Sequence, residues 1–246
     1  MNLSHNRSRW IERNPDVALA EWQSQTDDLT ARFGWETAGI FTSQEDIQNW
    51  TSNGEVLQPK AFVGTIKYVD QNGDGKLDKE DIVSLGNADP KVIYGIGTTL
   101  RFKNWTLDIN GYGRLGQKRY YGWGYEALVP DHYNTSTKAY KRWTTYNTDG
   151  TRPGVAADQY SSANPSAVND FGLKTVHWLR LSNIKLGYQL PQSLLSKAKI
   201  SALGVYLDLQ NTALISNFEG LDPEMESSSA PYPIPLTAVV GVNLSF

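Results

Sequence analysis

The C-terminal segment constrains the fold more than any other stretch. From Thr237 to Phe246, the residues Ala238, Val240, Val242, Leu244 and Phe246 share one side of an extended chain, and Thr237, Gly241, Asn243 and Ser245 share the other, with Val239 as the exception. Side chains of a strand alternate between faces, so this pattern requires a strand with one apolar face. Residues 202–211 repeat it, with Leu203, Val205, Leu207 and Leu209 against Gly204, Tyr206, Asp208 and Gln210. So do residues 105–114, with Trp105, Leu107 and Ile109 on one side, and residues 92–102, with Tyr94, Ile96, Leu100 and Phe102. Residues 176–190 are strand-like but change phase: Leu179 and Leu181 keep one alternation, and Ile184, Leu186 and Tyr188 the other. A bulge near Asn183 accounts for this. Residues 2–12 are a weaker sixth candidate. The expected fold class is all-β, with about six antiparallel strands.

Such strands can build a water-exposed sandwich or a membrane barrel. No run approaches the roughly 20 apolar residues of a membrane helix, but barrel strands carry only weak alternation and escape that test. The opening stretch MNLSHNRSRWIERN lacks the apolar core of a secretory signal. Lys and Arg number 23 against 26 Asp and Glu, and no basic stripe stands out, so no nucleic-acid partner is expected. The absence of cysteine excludes disulfides without choosing a compartment. Tyr94, Phe102 and Trp105 lie near strand ends, as in the aromatic girdles of barrels. The opposite faces carry Arg101, Asp108, Asn110, Arg114, Lys185, Asp208 and Gln210. These suit a wet lumen or a solvated sandwich face equally, so alternation alone leaves both open.

Connection lengths separate the two. The link at Lys103–Asn104 is minimal and that from Pro191 to Ser201 is short, whereas 13–91, 115–175 and 212–236 are long. Short and long links alternate strictly, as do the periplasmic turns and outer loops of membrane barrels. Structureless loops of that length are unusual in a compact domain.

One motif carries chemistry. Residues 70–81 resemble an EF-hand calcium loop, with oxygen donors from Asp70, Asn72, Asp74, the Lys76 carbonyl, Asp78 and Asp81, and Gly75 at the sharp turn. The last position holds Asp81 where the pattern has Glu, which shortens the reach to a bidentate ligand and weakens calcium or admits magnesium. The flanks lack paired long helices, and Gly64 to Val69 reads as a strand. The loop is therefore either a structural Ca2+ staple or an Asx-rich turn held by its own hydrogen bonds.

Three ordered blocks resemble the SusC/RagA family of TonB-dependent outer-membrane transporters. The first is GTIKYVDQNGDGKLDKEDIVSLGNADPKVIYGIGTTLRFKNWTLDINGYG, similar to the family's DxNGDGxID-like loop, its G-N-x-x-P-K element and a tight K-N-[FW] turn. The second is WLRLSNIKLGYQLPQSLLSKAKISALGVYLDLQNTALIS, and the third is GLDPE with the YPIPLTAVVGVNLSF terminus. The resemblance covers about 60–115 and 176–246 well. It implies that 1–246 is the C-terminal part of a β-barrel, an incomplete barrel here, with 13–91, 115–175 and 212–236 as extracellular loops. Phe246 resembles the terminal signal read by the outer-membrane insertion machinery. The resemblance further implies a Gram-negative, Bacteroidetes-like outer membrane, contact with membrane lipid, and import of oligosaccharides or peptides with a SusD-like surface lipoprotein. Energy would come from the TonB system acting through N-terminal parts this chain lacks, with no bound cofactor. A full barrel of the family has twenty-two strands, so a truncated frame or fragment, inactive alone, is expected. The alternative is a secreted, calcium-stapled β-sandwich that binds glycans.

Other residues weigh less. The cluster Tyr120, Tyr121, Trp123, Tyr125 and Trp143 could stack on sugars or meet a lid lipoprotein, or simply pack its loop. His5, His132 and His177 have no metal spacing. Asp222, Glu224 and Glu226 read as a solvated acidic loop, and Pro231, Pro233 and Pro235 as an extended approach to the last strand. No GxSxG, HExxH or P-loop is present, so no enzyme is expected.

Overall fold

A computed structural model describes residues 1–246 other than 17, 21, 121–136, 155–167, 197–199 and 226–232. The chain divides into two compact units, one formed by Met1–Asn6, Pro90–Gln117 and Val176–Phe246, the other by Arg7–Asp89 and Lys118–Thr175.

The strands in chain order are β1 (Asn2–Ser4), β2 (Ala31–Trp35), β3 (Thr37–Ile40), β4 (Thr51–Ser52), β5 (Glu55–Val56), β6 (Ile66–Tyr68), β7 (Ile82–Asn87), β8 (Val92–Phe102), β9 (Trp105–Tyr120), β10 (Leu173–Gln189), β11 (Ala202–Ser216) and β12 (Thr237–Ser245). The first unit is built on a six-stranded sheet in the order β1-β8-β9-β10-β11-β12, whose neighbours follow the sequence as in an up-and-down wall. The six strands read from alternation are these six. β8 matches residue for residue, β9, β10 and β11 run further than expected, and β1 is shorter.

Register separates the two faces. Leu100 pairs with Leu107, and Phe102 with Trp105. Leu186 pairs with Leu207, and Tyr188 with Val205. Leu203 pairs with Leu244, and Leu207 with Val240. This face is apolar from β8 to β12, and Leu100, Phe102, Val240 and Val242 on it are exposed. The opposite face pairs Thr99 with Asp108 and Gly97 with Asn110, and Lys185 with Asp208. It carries a polar row: the Thr99 hydroxyl donates to Asp108 at 2.5 Å, and the Asn110 amide to Asn183 at 3.0 Å. Further along the same face, Lys185 Nζ stands 4.2 Å from the Tyr206 ring centroid, and the Tyr206 ring covers Gly241, where a Cβ would collide with it.

The expected bulge is present. Between Leu181 and Asn183 the ladder shifts, because Leu181 pairs with Ala213 and Asn183 with Gln210. β10 therefore takes two steps where β11 takes three. Asn211, inside that interval, has φ 55°, a left-handed conformation that Asn tolerates better than most residues. The shift returns Leu181 to the apolar face. Its side chain lies where a Cβ on Gly111 would point, and Gly111 pairs with Ile96.

In the second unit, segment 13–91 up to Asp89 carries short strands and a helix, and the strand expected from Gly64 to Val69 is present as β6. β2 pairs with β7, β3 with β6 and β4 with β5, and helix α1 (Gln44–Asn49) is capped by Ser43, whose hydroxyl accepts from the Asp46 amide at 3.0 Å. Trp35, Ile66 and Tyr68 form one small core, and Phe41, Ile47 and Ala61 another. Gln58 substitutes for a missing strand partner. Its buried amide donates to the Ile66 carbonyl at 3.0 Å and accepts from the Tyr68 amide at 2.8 Å. Lys67 bonds Asp46 at 2.7 Å, and that bond holds the Asp46 carboxyl below its usual range against the opposing effect of burial. Gly64 has φ 92° and lies against the Trp143 ring, so a side chain there would be both strained and obstructed.

Candidate functional site

A sheet of this kind acts through its two faces and its loops. The apolar face is continuous and exposed, which suits hydrocarbon. A sandwich would bury such a face under a second sheet, and here its central residues remain open. The polar face is laced by the hydrogen bonds above, which suits a hydrated interior, since irregular or charged groups are tolerated at membrane depth only where they line protein or water. No helix among the described residues is long and apolar enough to cross a membrane.

The loop at 70–81 follows β6. Asp70 accepts from the Gly73 amide at 2.7 Å and the Gly75 amide at 2.9 Å. Burial pushes its carboxyl up, but a hydrogen bond from the Ser52 side chain, together with these backbone amides, outweighs it and holds the carboxyl below the usual range. Gly73 and Gly75 have φ of 75° and 87°. Asn72 accepts from the Asp74 amide, and Asp74 from that of Lys76. Asp78 caps a 3-10 turn, Lys79–Asp81, by accepting from the Glu80 amide at 2.9 Å. Asp81 is 1% exposed, and both its oxygens accept backbone amides, from Gln71 at 2.8 Å and Asp78 at 2.9 Å. The donor set expected for calcium is thus present, and its carboxylates serve a self-capped turn. Among the described residues, no group of three or more His, Asp or Glu is arranged to hold a metal ion. Carboxylate oxygens that accept one hydrogen bond keep lone pairs for a cation, so the donor chemistry fits calcium while the convergent geometry is not displayed.

Of the aromatic cluster, Tyr121, Trp123 and Tyr125 lie outside the described residues, as do His132 and Glu226. Trp143 packs against Gly64 and Gly154. Among the described residues in that part of the chain, Tyr120 is 47% exposed, and Tyr140 and Tyr146 are displayed further, at 85% and 99%. Sequence reasoning passed over both, since they share no periodicity with the rest. Phe246 follows β12 and is exposed. The reading of Asp222 and Glu224 as solvated is corrected: Asp222 is buried, and both carboxylates bond Arg180 of β10.

An antiparallel sheet with one apolar face and one polar face defines the class: the fold is that of a wall segment of a β-barrel. Comparison with known proteins gives the particular kind. The chain is 27% identical over 234 residues to "TonB-dependent receptor P26" of Formosa agariphila, a match covering 86% of this chain and 23% of the relative. It is 28% identical over 184 residues to "TonB-dependent receptor SusC" of Bacteroides thetaiotaomicron, covering 73% and 17%. Among solved structures it is similar to that of the RagAB peptide transporter, with TM-score 0.65, 21% identity and coverage of 88% of this chain and 23% of that one. It is also similar to the RagAB peptide importer in its "closed-closed" state, with TM-score 0.66 and 20% identity, covering 94% and 25%. No family model matches. The SusC/RagA resemblance therefore holds across most of the chain, and the fold is that of the C-terminal part of a TonB-dependent barrel. The relatives are receptors and transporters, not enzymes. The chain spans between 17% and 23% of the length of these curated relatives.

Proposed function

We propose that this chain forms the C-terminal wall of a TonB-dependent importer in the outer membrane of a Gram-negative, Bacteroidetes-like cell, taking up oligosaccharides or peptides with a SusD-like surface lipoprotein. The apolar face meets lipid, and the polar face lines the passage. The links Lys103–Asn104 and Pro191–Ser201 face the periplasm, and segments 13–91, 115–175 and 212–236 belong to the outer side. Both edge strands, β1 and β12, are open in the sheet. Lipid does not tolerate an unpaired edge, so the wall functions only when further strands close it. Energy reaches it through the TonB system by way of regions outside its span of the relatives.

Tyr121, Trp123, Tyr125 and Trp143 are proposed contacts for substrate or partner, joined by the exposed Tyr140 and Tyr146. Calcium is proposed as a structural staple of 70–81 and not as a participant in transport. The observation that carries the reading is the single apolar face shared by β8 to β12, exposed at its centre. Heat-modifiable gel migration of the protein from outer-membrane fractions tests it. A compact band that shifts on boiling supports the wall; a folded product that stays soluble without membrane or detergent overturns it.

A further inference from the structure

The connection from β11 to β12 does more than span outer space. Arg180 on β10 is 3% exposed, and its guanidinium is engaged by that connection at two of its nitrogens. One terminal nitrogen donates to both Asp222 carboxylate oxygens at 2.7 Å, and Nε donates to Glu224. Glu224 in turn accepts from the Tyr112 hydroxyl of β9, at 2.9 and 3.2 Å to its two oxygens. Tyr112 stacks edge-on against Trp178 at 5.6 Å, and the Arg114 guanidinium lies 5.7 Å over the same Trp178 ring. Tyr112 and Arg114 alternate with the lipid-side glycines Gly111 and Gly113, so the cluster stands on the polar face. The start of the connection is fixed as well: the His177 amide donates to the Asn217 side chain at 2.8 Å, and the Asn217 amide to the His177 carbonyl at 3.3 Å. Asp222 also accepts from the Glu224 amide at 3.0 Å, which sets both acids on one side of the turn.

We propose that residues 217–225 form a strap latched onto the inner face of the wall by buried Arg180 and Asp222 with half-buried Glu224 and Tyr112, so that this connection narrows the passage beside β9 and β10. The register supports the depth of the strap. Arg180 pairs with Leu214, two residues below the end of β11 at Ser216, so the acids reach about 7 Å down the wall from its rim. The chemistry explains the residue types. A planar guanidinium engages two carboxylates at once through its fork, which an ammonium cannot do. Its charge is compensated only while the strap is docked, and a buried charge that loses its partner is strongly penalised. The hydroxyl of Tyr112 offsets the second carboxylate, which one guanidinium alone leaves in excess. Assigning this face to the interior rests on the barrel reading; the latch does not.

The chain has no cysteine, so a single one can report the strap. Met225→Cys, placed beside Glu224, is labelled with a polar maleimide in the folded protein, with Glu219→Cys on the exposed part of the strap as the reference. The expected result is slow labelling at position 225 that accelerates about tenfold or more in Arg180→Gln, with Arg180→Lys intermediate. If Arg180→Gln fails to fold, Glu224→Gln, which keeps the Arg180–Asp222 bond, gives a smaller acceleration. Equal labelling rates at 225 with and without Arg180, in proteins that keep their compact band, overturn the latch. So does labelling at 225 as fast as at 219 in the parent. A parent that shows no membrane-dependent band but labels slowly at 225 refutes the barrel and leaves the latch standing.

Discussion

Val239 and Val240 are neighbours in β12 with the same side chain, and the register sends them to opposite faces. Val240 pairs with Leu207 on the apolar face and is 78% exposed; Val239 pairs with Asp208 on the polar face and is 36% exposed. Both lie within the strand that runs from Thr237 to Ser245, which the proposed barrel sets inside the bilayer. An arginine on the lipid face there costs about 2–4 kcal/mol, a shift of roughly 25- to 700-fold in the folding equilibrium. Val239→Arg would instead enter a hydrated face opposite a carboxylate and is expected to change stability by about 1 kcal/mol or less, of either sign. The assay is urea unfolding in lipid vesicles of the two variants, each folded together with the strands that close the barrel, followed by loss of the heat-modifiable band. In a water-soluble sheet the ranking disappears, because an exposed Val240 exchanged for a charge costs little. A Val240→Arg protein as stable as the parent, or a Val239→Arg protein equally damaged, would refute the assignment of faces.

Three further outcomes are expected. Gly241→Ala forces the Tyr206 ring off its seat and away from Lys185, at a cost of about 1–3 kcal/mol, and Tyr206→Ala in the same background should remove most of that penalty; no loss in Gly241→Ala would contradict the packing. The buried Tyr68 phenol is pushed up from 10 to about 12, first by burial. Its contribution is therefore complete below pH 10 and lost as pH rises toward 12; a phenolate absorbance titration that shows no difference between the parent and Tyr68→Phe in that window would rule this out. Asp81→Asn leaves one acceptor oxygen for the two amides of Gln71 and Asp78, costs about 1–3 kcal/mol locally, and should speed hydrogen exchange at both. If the calcium proposal holds, added calcium slows exchange across 70–81 in the parent far more than in the variant, and an unchanged parent would sink it.

The wall was legible because its signal is local and repeated. A face that must meet an apolar medium writes period 2 along each strand, and the break in that period at Asn183 marked the register shift. Strand lengths were less legible, since β9 continues past Arg114 through Gly116, Gln117 and Lys118, where polar residues on both sides erase the alternation. The second unit was missed for a different reason. Its cores are assembled from single residues far apart in sequence, such as Trp35 with Tyr68, and its strands are too short for any period to show. The Arg180 cluster joins β9, β10 and a distant connection, and nothing in an acidic GLDPE stretch tells a solvated loop from a docked one. The Asp-rich loop was legible as a turn because Asp, Asn and Gly at fixed offsets specify one, and its spacing alone leaves open what else it holds.

The shift between Leu181 and Asn183 divides the wall into two reading frames. Below it, Ile184, Leu186 and Tyr188 keep step with Leu209, Leu207 and Val205; above it, Leu181 and Leu179 keep step with Ala213 and Ile215 by a different count. A residue gained or lost above the shift can be taken up there without rotating any side chain in the belt below. The rim of the sheet is thereby uncoupled from the belt below it, and it can vary in length and charge while the belt stays in phase.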